Sequence, residues 1–185
     1  ASKGRAIQNL INIDPDDRVK AFICTQDLKD EEYVNKHYVI MATKKGQVKK
    51  TSLEQYSRPR TNGINAITIK EDDVLLEAKL TTGESQVMLA LKSGKAIRFE
   101  EAKTRPMGRN ASGVRGIRLQ DEKTDEVIGM IAVNDMDSDI LVVSENGYGK
   151  RSSLEDYRIT NRGGKGVKTI SITEKTGNLV SIKNV

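Results

Sequence analysis

Several residue types that carry chemistry in other proteins are scarce in this chain of 185 residues. It has one cysteine, Cys24, and one histidine, His37, so neither an intrachain disulfide nor a zinc site of the usual Cys and His ligands can form. The same scarcity leaves little basis for nucleophilic catalysis. No apolar run reaches the roughly 18 to 20 residues that a membrane span needs. These absences predict a protein of a reducing cytoplasm that needs no membrane.

Tryptophan is absent and aromatic residues make up only 4% of the chain. The WD40 type of propeller is therefore excluded, and too few rings are present for a surface that stacks single-stranded bases. The chain starts at Ala1 and stops at Val185 inside an apolar alternation. We interpret it as a piece of a longer protein.

The sequence contains an internal repeat of about 50 residues. Three segments each place a glycine, Gly46, Gly94 or Gly147, between two short runs that suit strands, and these glycines lie 48 and 53 residues apart. Behind each segment a second glycine precedes alternating apolar residues, in 63–69, 113–119 and 166–172. The stretch 4–10 resembles this second half alone.

Each repeat predicts four strands. A two-residue turn ending in glycine joins the first two, the alternating stretch is the third, and a fourth follows an acidic turn, at 74–78, 126–130 and 178–182. Helical character is limited to about a turn at 53–56 and 154–157. The predicted fold is all-β and propeller-like, with four-stranded blades at about 35–85, 86–138 and 139–185, named here the first, second and third repeats, behind a tail at 1–34.

Charge is unevenly distributed along the repeats. The windows 42–65, 92–118 and 145–168 carry a net charge of +14, whereas the rest of the chain carries −9, although the total is only +5. Because consecutive connections leave a sheet at different edges, we expect one basic edge and one acidic edge on every blade. Three basic clusters in register predict a stripe that a polyanion could follow.

The candidate binding residues form two rows. The hairpin cations follow or flank the first turn of each repeat: Lys44, Lys45, Lys49, Lys50, Lys92, Lys95, Arg98, Lys150 and Arg151. The loop cations lie further along: Arg58, Arg60, Arg105, Arg109, Arg162, Lys165 and Lys168, with Arg115 beside them in a glycine-rich segment. Glycines next to these cations, as in 107–109 and 162–166, either let backbone N–H groups approach a phosphate or serve only as flexible loop.

Several motifs together resemble one family. They are the stretches 146–151 (NGYGKR), 111–119 (ASGVRGIRL) and 107–110 (MGRN), and 87–89 (VML) before 93–95 (SGK). Over essentially the whole chain they are similar to the C-terminal β-pinwheel domains of DNA gyrase A, a scaffold shared with the equivalent polypeptide of topoisomerase IV. The segment 162–166 (RGGKG) matches the last five positions of the box that gyrase carries, whereas Thr160 and Asn161 depart from its first two.

The resemblance implies a domain that binds and bends duplex DNA in support of ATP-dependent negative supercoiling. It implies partners in the remainder of gyrase A and in gyrase B. It also implies that this segment has no catalytic residues, metal or cofactor of its own, and that the parent enzyme uses ATP and magnesium elsewhere. Two alternatives stay open: the corresponding domain of topoisomerase IV, and a propeller that binds a basic protein partner through its acidic edge.

Overall fold

The computed structural model describes residues 3–6, 10–11 and 13–185, and in these ranges the chain is almost entirely β-structure. Its helices are α1 (Glu31–Lys36) and the 3₁₀ helices Leu53–Tyr56, Glu101–Lys103 and Leu154–Asp156. The strands are β1 (Tyr38–Thr43), β2 (Gln47–Ser52), β3 (Leu75–Thr81), β4 (Gln86–Leu91), β5 (Lys95–Glu100), β6 (Val114–Arg115), β7 (Val127–Val133), β8 (Asp139–Ser144), β9 (Gly149–Ser153), β10 (Val167–Lys168) and β11 (Leu179–Asn184). The predicted all-β fold with four-stranded blades is confirmed.

The sheets do not coincide with the repeats. Their strand orders are β3-β1-β2-β6, β10-β5-β4-β7 and β11-β8-β9, with antiparallel pairing throughout. The short strand β6 belongs to the second repeat but pairs with β2 of the first, and β10 of the third repeat pairs with β5 of the second. The interpretation that one repeat supplies all four strands of its own blade is therefore wrong.

The predicted third strands are mostly irregular. Residues 63–69 contain no strand, and β6 and β10 are two residues long. Their apolar alternation instead places Ile117 and Leu119 in the core between the first two sheets. A period of two thus reports alternate burial here, because each segment lies across the neighbouring repeat without forming a long ladder.

The positive φ of Gly113 and Gly166 explains the second glycine of the repeat. A Cβ atom would lie 2.4 Å from the carbonyl oxygen of Val48 at Gly113 and 2.5 Å from that of Ala96 at Gly166. Each glycine therefore lets one repeat lie directly against the second strand of the repeat before it.

The hairpin turns differ from the two-residue type that the sequence predicts. The N–H of Gly46 donates to the carbonyl of Thr43, that of Gly94 to Leu91 and that of Gly147 to Ser144. Among the described non-glycine residues only Asp72 has a positive φ. The loops are thus three-residue turns whose last residue is a left-handed glycine, which needs only one residue with positive φ.

The core lies between successive sheets. One cluster joins the first and second sheets and another joins the second and third, so the second sheet is covered on both faces. Five consecutive residues, Val87 to Leu91, are 0–1% exposed as a result. A strand buried on both faces has no polar side, which explains its unbroken apolar run.

The segment before the first sheet covers that sheet's outer face. Ala21, Ile23 and Leu28 pack there with Val34 of α1, a helix that the sequence analysis missed. The side chain of Asp30 caps this helix by accepting hydrogen bonds from the N–H groups of Glu32 and Tyr33. The proposed half-repeat at 4–10 falls partly outside the described residues, since 7–9 are not described.

Candidate nucleic-acid interface

Three of the predicted binding cations lie inside the protein. Lys49 is 0%, Lys50 5% and Arg98 9% exposed. Both faces of β2 and β5 are covered, so a charged residue in mid-strand is enclosed whichever way it points. The prediction that these three side chains lie on the surface is wrong. Lys50 and Arg98 share their strand parity with the core residues Val48 and Ala96, a signal that could have revealed this.

Lys50 and Arg98 occupy equivalent positions and connect consecutive repeats. The ammonium of Lys50 lies 3.1 Å from the carboxylate of Glu101, in the 3₁₀ helix of the second repeat, and 4.4 Å from the ring centroid of Tyr38. Arg98 Nη1 donates to the carbonyls of Leu154 at 3.0 Å and Tyr157 at 2.8 Å in the third repeat. Burial lowers the pKa of Arg98, and the nearby Glu155 opposes this effect.

Lys49 connects two loops from the opposite face of β2. Its Nζ donates to the carbonyl of Ala66 at 2.5 Å and to the carbonyl of Arg109. Burial lowers the pKa of Lys49 to about 8, and the positive charge of Arg109 acts in the same direction. Lys49 therefore has no free donor face on the protein surface.

The hairpin turns do not form a purely basic edge. Because β3 runs antiparallel to β1, the acidic turn before β3 lies at the same end of the sheet as the β1–β2 hairpin. The N–H of Lys45 donates to Asp73 Oδ1 at 3.0 Å, and that of Ser93 donates to Asp125 Oδ1 at 3.0 Å. Lys44, Lys45 and Lys92 line one cavity with carboxylates of both turns. The expected separation of acidic and basic connections is therefore wrong at this edge.

Lys168 belongs to this mixed edge. It is paired with Lys95 between β10 and β5, and with Lys92 the two lysines line a cavity of about 810 Å³. Asp121 and Asp125 line the same cavity. The assignment of Lys168 to the row of loop cations is corrected accordingly.

The opposite edge is more uniformly basic. Lys103, Arg105 and Arg162 line a cavity of about 360 Å³ with Pro106, Met107 and Val114, and no carboxylate takes part in its lining. The three cations follow the strands β5 and β9, whose far ends carry the hairpin turns. Lys103, and the exposed Arg158 in the equivalent loop of the third repeat, were missing from the predicted set although both lie in the basic windows.

Direct contacts link the loops of successive repeats along this edge, which we call the loop edge. The N–H of Arg109 donates to Gln55 Oε1 at 3.1 Å, and its Nη1 donates to the carbonyl of Asn65 at 3.1 Å. Arg162 Nη1 donates to the carbonyl of Arg115 at 2.8 Å. The cations of the three repeats are therefore held at defined spacings and do not sit on independent loops.

The glycines of the 162–166 segment make contacts to the second repeat. The N–H of Gly163 donates to the carbonyl of Gly116 at 2.7 Å, and the carbonyl of Gly164 accepts from the N–H of Arg118 at 2.8 Å. These two glycines thus belong to a packed junction between repeats, which excludes the alternative of a merely flexible loop.

The remaining predicted cations are accessible. Arg58, Arg60, Arg115, Lys150, Arg151 and Lys165 are exposed. Arg151 forms a salt bridge of 2.7 Å with Asp139, and its side chain is 66% exposed. Within the described ranges, no three His, Cys, Asp or Glu side chains are grouped as metal ligands would be. The helices of these ranges are too short and too polar to cross a bilayer.

Comparisons with known proteins agree with this architecture. Residues 37–82, 87–134 and 138–185 each match the family described as DNA gyrase C-terminal domain, beta-propeller. The DNA gyrase A polypeptide of Staphylococcus epidermidis strain ATCC 12228 is 44% identical over all 185 residues, and that of Staphylococcus aureus strain MRSA252 is 42% identical. The chain spans 20% of the length of each.

Two solved structures resemble this fold. The C-terminal domain of DNA topoisomerase IV has a TM-score of 0.86 and 26% identity, over 98% of this chain and 55% of that one. A DNA gyrase A C-terminal domain has a TM-score of 0.83 and 24% identity, over 100% of this chain and 59% of that one. The family matches fall on the three repeats whose sheets are interlinked by β6 and β10. The chain therefore belongs to the DNA gyrase C-terminal β-propeller domain family.

Proposed function

We propose that this domain binds duplex DNA through its phosphate backbone along the loop edge and bends it across successive repeats. The observation that supports this most directly is the cavity lined by Lys103, Arg105 and Arg162 without any carboxylate. Cations at the same place in each repeat suit a ligand whose charge repeats along its length. With 4% aromatic residues the surface is poorly equipped for stacking bases, so a duplex fits better than a single strand.

The loop edge, rather than the hairpin turns, carries most of the binding in this proposal. Lys44, Lys45 and Lys92 lie beside carboxylates that offset their charge. The accessible loop cations, with Lys103 and Arg158 added, have a less mixed surrounding. We expect the hairpin cations that remain exposed to contribute a weaker, longer-range attraction.

In the parent protein the domain would act as part of a DNA gyrase A polypeptide. The curated relatives at 42–44% identity carry that name, which favours gyrase over topoisomerase IV. The bent duplex would be presented to the strand-passage parts formed by the rest of gyrase A and by gyrase B, in support of ATP-dependent negative supercoiling in the cytoplasm. ATP and magnesium would be used there, and this domain would hold no catalytic group.

The primary test measures affinity for random-sequence duplexes at several salt concentrations. We expect log affinity to fall linearly with log salt, by roughly 0.9 per neutralised phosphate, with little dependence on sequence. Arg105→Gln should reduce both the affinity and the slope, whereas Lys183→Gln, an exposed lysine on β11, should change neither. Binding that ignores salt, or that requires one sequence, contradicts the proposal.

A second test addresses bending. Nicked circular DNA is ligated with and without the domain, and the linking number of the product is compared. A shift in linking number indicates wrapping, and its loss in Arg105→Gln would assign the wrapped path to the loop edge. Binding without any shift would limit the function to attachment. Competition by heparin separates this function from a protein-binding propeller, whose partner on an acidic surface heparin should not displace.

A further inference from the structure

The buried Lys49 is a charged group for which direct DNA contact offers no explanation. It is fully enclosed in β2, yet its ammonium lies beside the loop edge. Its two carbonyl acceptors belong to different repeats, since Ala66 is in the first and Arg109 in the second. A charge that is taken out of water needs such compensation, because burying it unpaired is costly.

The contacts around Lys49 converge on two loops. The hydroxyl of Tyr56 donates to the same Ala66 carbonyl at 3.0 Å. The N–H of Thr68 donates to the carbonyl of Ala111 at 3.3 Å, which adds a direct link between the loops. Lys49 is thus at the centre of a small network that sets the distance between residues 65–68 and 109–111.

Comparison of the repeats separates this role from folding of the strand. The position equivalent to Lys49 is Ile97 in the second repeat, where a buried apolar side chain serves. In the third repeat it is Lys150, whose Nζ donates to the carbonyl of Thr169 at 3.3 Å. Thr169 aligns with Ala66, so the lysine-to-loop bond recurs where lysine recurs. The strand itself therefore does not require a lysine at this position.

We propose that Lys49 is a positioning residue of the DNA interface: its ammonium holds the backbone of Arg109 against the first repeat and so fixes where the Arg109 guanidinium is presented. The inference rests on the proposed function. Arg109 is half-buried, and its guanidinium is already anchored on one side by the carbonyl of Asn65. A preorganised cation loses less conformational entropy on binding a phosphate than a free one.

The charge state of Lys49 provides a distinctive readout. Its pKa of about 8 means that the ammonium dominates at pH 7 and the neutral amine at pH 9. Hydrogen bonds from a neutral amine are weaker than those from an ammonium. The titratable and charged groups facing it are the Tyr56 phenol, whose pKa burial raises, and the Arg109 guanidinium, while Met41 opposite it on β1 is apolar.

The test is a double-mutant cycle on duplex affinity with Lys49→Met, Arg109→Gln and the double variant. Each single change should weaken binding about tenfold, the loss expected for one charge-assisted hydrogen bond. The double variant should bind no more weakly than Arg109→Gln alone. Lys45→Met removes an exposed lysine of the same hairpin, and its effect should add to that of Arg109→Gln. Additive effects of Lys49→Met would overturn the proposal.

Two further measurements complete the test. Between pH 7 and 9 the affinity of the wild-type domain should fall, whereas that of Lys49→Met should not; equal pH dependence in both contradicts the assignment. Lys49→Ile installs the residue of the second repeat, and thermal unfolding checks that both variants fold.

If the wild-type domain binds no duplex, the proposed function fails, and amide hydrogen exchange still decides the structural part. The N–H groups of Thr68 and Arg109 should then exchange about tenfold faster in Lys49→Met, in line with the loss of one charge-assisted hydrogen bond. Unchanged exchange refutes the positioning role.

Discussion

Replacing Arg98 with methionine should loosen the junction between the second and third repeats. The guanidinium donates to two carbonyls of the third repeat, and its Nε donates to Gln86 Oε1 at 2.6 Å. Methionine has a similar length and an apolar stem, so it fills much of the volume but leaves the carbonyls of Leu154 and Tyr157 without this donor.

The expected loss of unfolding free energy is about 3 kcal/mol. Hydrogen bonds to a charged group contribute about 1.5–3 kcal/mol each, and Arg98 makes two to buried carbonyls. Against this stands the cost of burying the guanidinium, which methionine avoids and which the lowered pKa of Arg98 reflects. The difference between these opposing effects leaves a destabilisation near the value of one and a half such bonds.

Arg151→Met is the matched control. Arg151 occupies the equivalent position in the third repeat, but its side chain is 66% exposed and paired only with Asp139. A surface ion pair contributes about 0–1 kcal/mol, so this variant should be nearly as stable as the wild type. The assay is urea denaturation followed by far-ultraviolet circular dichroism. Destabilisation of the two variants by the same amount would refute the view that environment, not residue type, decides the effect.

Three further predictions follow from the junctions between repeats. Glu101→Leu, which installs the equivalent residue of the third repeat, should cost about 3–5 kcal/mol because Lys50 stays buried without its partner, and adding Lys50→Met should recover most of the loss in the same urea assay; no recovery would refute the ion-pair account. Gly116→Ala should cost about 1–3 kcal/mol, because its Cβ would lie 2.6 Å from Val48 Cγ1 and 2.7 Å from Leu89 Cδ1, whereas Gly164→Ala, with its nearest contact at 3.6 Å, should be tolerated. Since the pKa of Lys49 is about 8 in the folded protein and 10.5 in its reference state, the unfolded chain binds more protons between these values, so the unfolding free energy of the wild type should rise relative to Lys49→Met as pH increases from 8 to 10.5; a flat difference across that window in denaturation curves would contradict the burial of the ammonium.

The repeat and the all-β architecture could be predicted because they depend on local signals. The glycines at 46, 94 and 147 end three-residue hairpin loops, and the unbroken apolar runs such as 87–91 form strands covered on both faces. The third strands could not be predicted correctly. Alternation at 113–119 reflects contact with the neighbouring repeat, and period alone does not tell which sheet, or whether any ladder, receives the segment.

The distribution of charge was predicted only in part for a related reason. Sequence position correctly separates basic from acidic connections along the chain, but antiparallel pairing brings the hairpin of Lys45 and the turn of Asp73 to the same end of one sheet. The loop edge keeps its basic character because the segments that meet there, after β5 and β9, are both cationic.

By itself the sequence determined the repeat, the strand-rich fold, the family resemblance and the presence of three cationic segments. These properties follow from residue order and from contacts within a hairpin. Only the tertiary structure decided that Lys49, Lys50 and Arg98 hold the repeats together from within, while Arg105 and Arg162 line an open cavity. The physical reason is that burial of a cation depends on what covers the strand, and here each strand is covered by residues from a different repeat.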